Sequence, residues 1–545
     1  MSKVFNLPMR VSFFFITFLV CRLVYAQDFK DVSPFLKNVQ PDSIRSHIKF
    51  LSDDRLKGRM PGTPEYQIAM AYVISRYKNM GLVPAGENQT YLQTVKLRRA
   101  KVDESGTRAV FVSESTSKDL VFGDDYVLYP NFEEKNVDVT APLVFAGYGI
   151  SEPEFGYDDY AGIDVKGKIV VVVAGAPDKF ASTVKAHAMN KTTRLKTALE
   201  KGAVGVILRG SPMGLQSQVH GIVNTGSVEA TDNMLSGLSF YGSISQPIFN
   251  TMLNMSADEV SKLLLSLKEG TPASFELKSS FQAILTSSYH DFESYNIVGM
   301  IKGSDKVLKD EYVVYSAHLD HVGIGTPVKG DSIYNGAHDN ASGVACVLEV
   351  ARLYSSLKQK PKRSILAMMV TGEEMGLIGS SYFASHPTVP KEKIVANVNM
   401  DMPTLIAPLL SIVPLGALHS SLISPVKSAA AYMGIDVEND PEPEQNRFTR
   451  SDQYSFVQQG IPALHIKYGD KTNEPGQKLT DKVKVWRAQY YHQPQDEFAE
   501  GNFDFEAAKK YVQLCFLIGH QVAQDKKRPS WNEGDLFGKK FGTKK

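Results

Sequence analysis

Two adjacent glutamates, Glu373 and Glu374 in "VTGEEMGLIGS", follow an apolar run, and neighbouring carboxylates repel unless something offsets their charge. They are not isolated. "EYVVYSA" is followed by His318, Leu319, Asp320 and His321, and "KIVANVNM" is followed by Asp401. "YNGAHDNASG" places Asp339 just ahead of a helix expected to begin near Ala341, and "YYHQPQDEF" supplies His492 from a loop rich in turn residues. Acids and imidazoles thus close three strand-length runs and open one helix, an order that a scatter of solvated charges does not explain. Imidazole nitrogen with carboxylate oxygen, and no cysteine nearby, is a ligand set suited to zinc and related divalent metals. Two cations about 3.5–4 Å apart need an anionic bridge, and one carboxylate spans that gap. The chain offers enough groups for a bridge, further ligands and a free carboxylate, but spacing alone does not pair them.

The elements that must position these groups are legible as texture. From about residue 294, strand-length apolar runs ("YNIVGMI", "EYVVYSAH", "RSILAMMVTG", "KIVANVNMD", "IPALHIK") alternate with helical stretches such as "ASGVACVLEVARLYSSL" and "HSSLISPVKSAAAYMG". That alternation predicts an α/β fold with helices on both faces of a sheet. Ligands in such sheets gather at the carboxyl ends of strands, where these acids and histidines fall. Residues 40 to 85 read as helical, with Ile68, Ala71, Tyr72, Ile74, Ser75 and Met80 as the inward stripe of the second helix and Gly81 as its stop. Between about 95 and 290 the pattern becomes β-type, with short runs such as "APLVFAGYGI", "GKIVVVVAGAP", "GAVGVILRG" and "QPIFNTM", and one helix, "KTTRLKTALEKG". The basic, aromatic end of the chain, 526–545, reads as a solvated or loosely packed terminus.

In this order, "SAHLDHVG", "GAHDNASG", "TGEEMG", "NMD" and "YHQPQDEF" resemble the co-catalytic zinc aminopeptidase family, which also includes glutamate carboxypeptidases, glutaminyl cyclases and the transferrin receptor. "LKGRMPGTPEY" and "FTRSDQYSFVQQGIPALHI" extend the similarity over most of residues 40 to 525. The resemblance implies a zinc-peptidase fold with a mixed central sheet, two Zn2+ or related ions per chain, and peptide substrates. It implies Asp339 as the bridge, His318 and Asp401 on one metal, and Glu374 and His492 on the other. Glu373 would be the general base, and Asp320 would orient His318 through its second ring nitrogen, as partners of ligating histidines commonly do. Tyr491 is a candidate hydrogen-bond donor to the reaction intermediate. His338, His321 and His465 are read as rim, packing or sheet-end residues, Asp496 as a loop-ordering acid, and Gln453 replaces a histidine common in relatives. "LVFAGYGISEPEFGYDDYAGIDVKGKIVVVVAG" is similar to the opening of a protease-associated domain, a β-rich insert.

Bulk composition bounds the remaining choices. With 545 residues, 43% hydrophobic and 22% charged, the chain is globular and long enough for two or three domains. A formal charge of +1, with no basic face of interleaved aromatics, argues against a nucleic-acid surface. Lys3 and Arg10, the run "VSFFFITFLV" and "VYA" before Gln27 have the order of a secretory signal peptide, and the run is too short to span a bilayer. Cleavage after Ala26 is preferred to lipidation of Cys21, because Val20 is a poor neighbour for a lipidated cysteine. The expectation is an exported chain, periplasmic or secreted. Cys346 and Cys515 sit in apolar helical contexts, so no disulfide framework is expected. The expected organisation is a leader over 1–26, the start of the peptidase domain over 27–100, the insert within 101–285, the catalytic domain over 286–525 and the tail.

These readings favour a di-zinc aminopeptidase. Glutamate-type carboxypeptidase is the nearest rival. A glutaminyl cyclase fits less well, since that chemistry uses one zinc. A non-catalytic receptor on the same scaffold is the rival of another class, but a decayed site should have lost some of its six central residues. Oligomeric state is open.

Overall fold

A computed structural model describes residues 29–114, 116–210 and 214–542. The leader expected over residues 1–26, with Cys21, lies outside the described residues. Tertiary contacts divide the chain into two units. The first takes in the described residues up to Thr94, Tyr295–Glu442 and the chain from Arg450, and the second comprises Val95–Ser294 and Pro443–Thr449.

The first unit is built on eight strands: β1 (Val83–Pro84), the end of β2 (Ser274–Ile301), β3 (Tyr312–His318), β4 (Ser364–Val370), β5 (Ile394–Asn399), β6 (Ser411–Leu415), β7 (Asp436–Val437) and β8 (Ala463–Tyr468). Their spatial order is β1-β2-β4-β3-β5-β8-β6-β7. The central four, β4, β3, β5 and β8, run parallel, while β2 and β6 flank them antiparallel. The sheet is therefore mixed. Every residue of β4, β5 and β8 is buried, which requires cover on both faces; β4 is accordingly almost wholly apolar, while β5 and β8 also bury Asn397, Asn399, His465 and Lys467.

The helices supply that cover: α1 (Pro41–Leu51), α2 (Pro64–Asn79), α3 (Ser342–Ser356), α4 (Ile378–Ser385), α5 (Ile423–Met433), α6 (Leu479–Tyr490), α7 (Phe505–Gln524) and α8 (Leu536–Phe541). Helix α3 has only Arg352, Ser355 and Ser356 short of full burial, so it lies inside the core rather than on it. Each buried Val or Leu there contributes roughly 1.5–3 kcal/mol, which anchors the turn that precedes the helix. Cys346 and Cys515 are buried free thiols in α3 and α7. No described helix is long and apolar enough to cross a membrane.

Three local expectations are corrected. Helix α2 buries Tyr66, Ala69, Met70, Val73 and Tyr77, whereas Ile68 is 50% exposed. The stripe read from Ile68 is offset from the buried face: Tyr72, Ile74 and Met80 reach the core in part, while Tyr66 and Tyr77 supply fully buried positions with Ala69, Met70 and Val73. "QPIFNTM" is helical, not β-type, in the helix Gln246–Leu253, where Pro247 sits in the first turn and needs no backbone donor. The end of the chain is packed rather than loose. Leu536 and Phe537 are buried, Asp535 caps α8, and Trp531 Nε1 donates to the Gly460 carbonyl at 3.0 Å. Two apolar anchors outweigh the surrounding lysines there.

In the second unit the strands 143–145, 169–172, 205–209 and 240–244 are parallel neighbours, and the Lys191–Glu200 helix packs Leu195 and Ala198 against Val144, Val170, Val172 and Val206. Antiparallel strands Arg108–Ser113 and Asn136–Ala146 pair with β2.

Candidate metal centre

Three parallel strands deliver their terminal residues to one point. His318 ends β3, Glu373 and Glu374 lie in the turn after β4, and Asp401 follows β5. Asp339 sits in the Ala337–Ala341 turn leading into α3, where it is joined to Asn340 by a cis peptide bond. His492, with a left-handed φ of 52°, arrives from the loop after α6.

The two Asp339 oxygens face different imidazoles. Oδ1 is 3.2 Å from His318 Nε2, and Oδ2 is 3.2 Å from His492 Nε2. His318 Nε2 is also 3.6 Å from Asp401 Oδ1, and His492 Nε2 is 3.0 Å from Glu374 Oε2. His318, Asp339 and Asp401 form one group able to hold an ion, and His318 with Glu373 and Glu374, and His321 with Asp339 and Glu374, form others. Every sequence-predicted ligand therefore lies in one cluster.

Asp320 acts differently from the expectation. His318 Nδ1 meets the Asp320 backbone carbonyl at 3.1 Å, not its carboxylate. The carboxylate instead accepts the amides of Glu373 and Glu374, each at 3.3 Å, and so holds the turn that presents both glutamates. Tyr491 stacks on His492 at 4.0 Å between ring centroids, and its hydroxyl accepts from Arg450 at 3.4 Å.

Asn340 and Asp496 stitch the site together, each fully buried or nearly so. Asn340 donates to the Met400 carbonyl at 3.1 Å and accepts from the Gly343 and Met402 amides at 2.9 and 3.1 Å, tying the Asp339 turn to the end of β5. Gly343 is required there, since a Cβ would strike Asn340 Oδ1 and the Met400 carbonyl. Asp496 accepts the His338 amide at 2.9 Å and the Asp339 amide at 3.0 Å, and its Oδ1 lies 3.2 Å from His338 Nδ1. His338 packs away from the cluster, stacked on Phe503 at 4.0 Å. His465 Nε2 and Lys467 Nζ both contact the Asp401 carbonyl at 2.8 Å.

Sequence reasoning gave no weight to Lys467, Asn340 or Arg59, and little to His321, whose Nδ1 lies 2.6 Å from Glu374 Oε1. The "HLDH" spacing at a strand end is the signal that could have raised His321. Lys467, two residues beyond His465 in β8, shares its face of the strand.

Charge in this cluster is strongly perturbed. Burial raises Glu373 well above the usual carboxylate range, with Asp401, Glu374 and Asp452 adding to the rise and His318 opposing it. Burial also penalises ionised Asp339, Glu374 and Asp401, yet all three fall below their ordinary values. His318 and His492 lower Asp339, His321 and His492 lower Glu374, and Lys467 and His318 lower Asp401. Burial opposes protonation of His492, but Asp339 and Glu374 lift it to about 10. Burial pushes Asp320 up to about 6 and Asp452 up to about 7. So many buried anionic oxygens can coexist only beside positive charge. Asp401 Oδ1 has no hydrogen-bond partner among the described residues. The donor chemistry and that oxygen fit a divalent cation.

The fold and this centre define an α/β protein with a buried candidate metal site at its strand ends. The model of peptidase family M28 matches residues 296–516, and that of a PA domain matches residues 139–237. Aminopeptidase NAALADL1 of Mus musculus is 34% identical over 139 residues, 24% of this chain and 17% of that protein. Aminopeptidase YwaD of Bacillus subtilis is 26% identical over 242 residues (43% and 46%), and carboxypeptidase Q of Xenopus laevis is 28% identical over 237 residues (39% and 43%). These matches span less than half the length of each relative. An aminopeptidase structure from Aneurinibacillus sp. strain AM-1 aligns over 91% of this chain and 96% of its own, at 19% identity and a TM-score of 0.49.

Proposed function

We propose that the chain is an exported di-zinc aminopeptidase that removes N-terminal residues from peptides. The observation that carries this reading is the single buried Asp339 carboxylate shared between His318 and His492, with Asp401 and Glu374 beside them. His318, Asp339 and Asp401 would hold one ion, and Asp339, Glu374 and His492 the other. When bound, two such ions would polarise the scissile carbonyl and favour a nucleophilic water at neutral pH. Glu373 is the residue suited to take and return a proton: it is adjacent in sequence to a ligand, and burial raises its proton affinity. Asp320 holds the Glu373–Glu374 turn through two amides, and Tyr491 borders the cluster against His492. The order of residues 1–26 supports export to the periplasm or beyond.

Glutamate-type carboxypeptidase activity is the second reading, favoured by similarity to carboxypeptidase Q and to a probable glutamate carboxypeptidase of Arthroderma benhamiae. A panel of free-amino and N-blocked peptides, read for the end released, separates the two. Release of N-terminal residues from free-amino peptides alone supports the aminopeptidase, and C-terminal release from blocked peptides replaces it. Metal analysis should give close to two divalent ions per chain; a value near zero after zinc reconstitution removes the two-metal reading.

A further inference from the structure

Arg59 is 1% exposed and lies in the first unit, far in sequence from every candidate ligand. It is delivered by a tight loop in which Lys57, Gly58 and Arg59 have successive φ values of 42°, 68° and 48°. Three left-handed residues in a row, two of them non-glycine, are strained, and such strain persists only where surrounding contacts hold it. Those contacts are close: a Cβ on Gly58 would strike the Tyr334 and Gly323 backbones, so the loop is pressed against the 323–334 hairpin.

From there the guanidinium enters the core and donates to four main-chain carbonyls. Nε reaches Leu319 at 2.8 Å, Nη1 reaches Asn335 at 2.6 Å and also Leu51, and Nη2 reaches Gly336 at 3.1 Å. Leu319 directly follows His318, and Gly336 lies three residues before Asp339. One planar group therefore joins the segment carrying one candidate ligand to the segment carrying another. Burial lowers its pKa to about 10, while Asp320, Asp496, Asp339 and Glu374 support the charge, so it remains cationic at neutral pH.

We infer that Arg59 is a positioning residue for the metal centre, fixing the spacing of His318 and Asp339 and placing a buried positive charge behind the acid cluster. This rests on the metallopeptidase reading. Arginine is needed rather than lysine because five donors in a rigid fork can serve four carbonyls, whereas an ammonium has three donors and a shorter reach.

The test uses the full chain and zinc alone as probe, with affinity measured by competition against a chelator for wild type, Arg59→Lys and Arg59→Met. Arg59→Lys, with far-UV circular dichroism like wild type, should bind zinc roughly 10–100-fold more weakly, the range for loss of a group that supports a metal ligand. Excess zinc should then restore its turnover, and Arg59→Met should be weaker still. Wild-type zinc affinity in a folded Arg59→Lys overturns the inference. If the variants are recovered unfolded, refolding with excess zinc decides: rescue supports positioning at the metal, and no rescue reduces Arg59 to a core clamp and overturns it. Wild-type protein that binds no zinc removes the metallopeptidase reading itself, an outcome distinct from wild-type-like binding by the variants.

Discussion

Replacing Asp496 with alanine should loosen the Asp339 turn before it affects the rest of the chain. Asp496 is 1% exposed and accepts the His338 and Asp339 amides at 2.9 and 3.0 Å, with His338 Nδ1 at 3.2 Å as a third contact. Removing the carboxylate leaves those groups buried without a partner, and each such loss costs about 1–3 kcal/mol. The contacts share one turn and are not additive, so the expected cost is about 3–5 kcal/mol, at the upper end for a single substitution. At about 1.4 kcal/mol per factor of ten, the lower figure is roughly a hundredfold in the opening equilibrium. Hydrogen exchange at the His338 and Asp339 amides of zinc-free protein reads that equilibrium directly. Protection should fall by about a hundredfold or more at these two positions, while β3 and β4 keep theirs. Asp496→Asn, which retains one acceptor oxygen, should lose about half as much in free energy. Unchanged protection in Asp496→Ala would refute the argument that this carboxylate holds the turn.

Glu373→Gln should cost about a hundred- to ten-thousandfold in turnover with zinc content preserved, whereas Glu374→Gln should lose zinc first; activity surviving in Glu373→Gln sinks the proton-transfer assignment. In the second unit, burial raises Asp159 to about 7, opposed by the Ile150 amide, the Tyr157 hydroxyl and the Tyr148 amide. A folded-state pKa above the unfolded value of about 3.9 gives stability that is present at low pH and lost as pH rises towards 7, about 4 kcal/mol by pH 8 on linkage grounds. Asp159→Asn removes the buried ionisation, so its thermal midpoint should exceed wild type at pH 8 and the gap should narrow at pH 5. An equal gap at both pH values would count against it.

The strands that carry the centre are legible because runs buried on both faces are predominantly apolar, and a charged residue ending such a run stands out. His318, Asp401 and the glutamate pair were found that way. The same logic could not reveal what holds them. Arg59 acts through carbonyls some 260 to 277 residues away, and backbone acceptors leave no mark on composition. Sequence places Asp320 beside His318, but which of its groups points where is set by the turn after β4. The offset stripe of α2 and the packed chain end share one cause. Local hydropathy ranks Ile68 above Tyr66 and lysine-rich 526–545 below any core, whereas burial follows the space a ring or a pair of anchors can fill.

The full burial of β4, β5 and β8 sets a clock for the centre. Amides along such fully buried strands should exchange mainly through opening of the whole unit, whereas loops move on far shorter timescales. Asp401 and the glutamate turn inherit that slowness, and His492, arriving on a loop, does not. The lifetime of a bound ion should therefore be set on one side of the site, by the rate at which the His492 loop lets go.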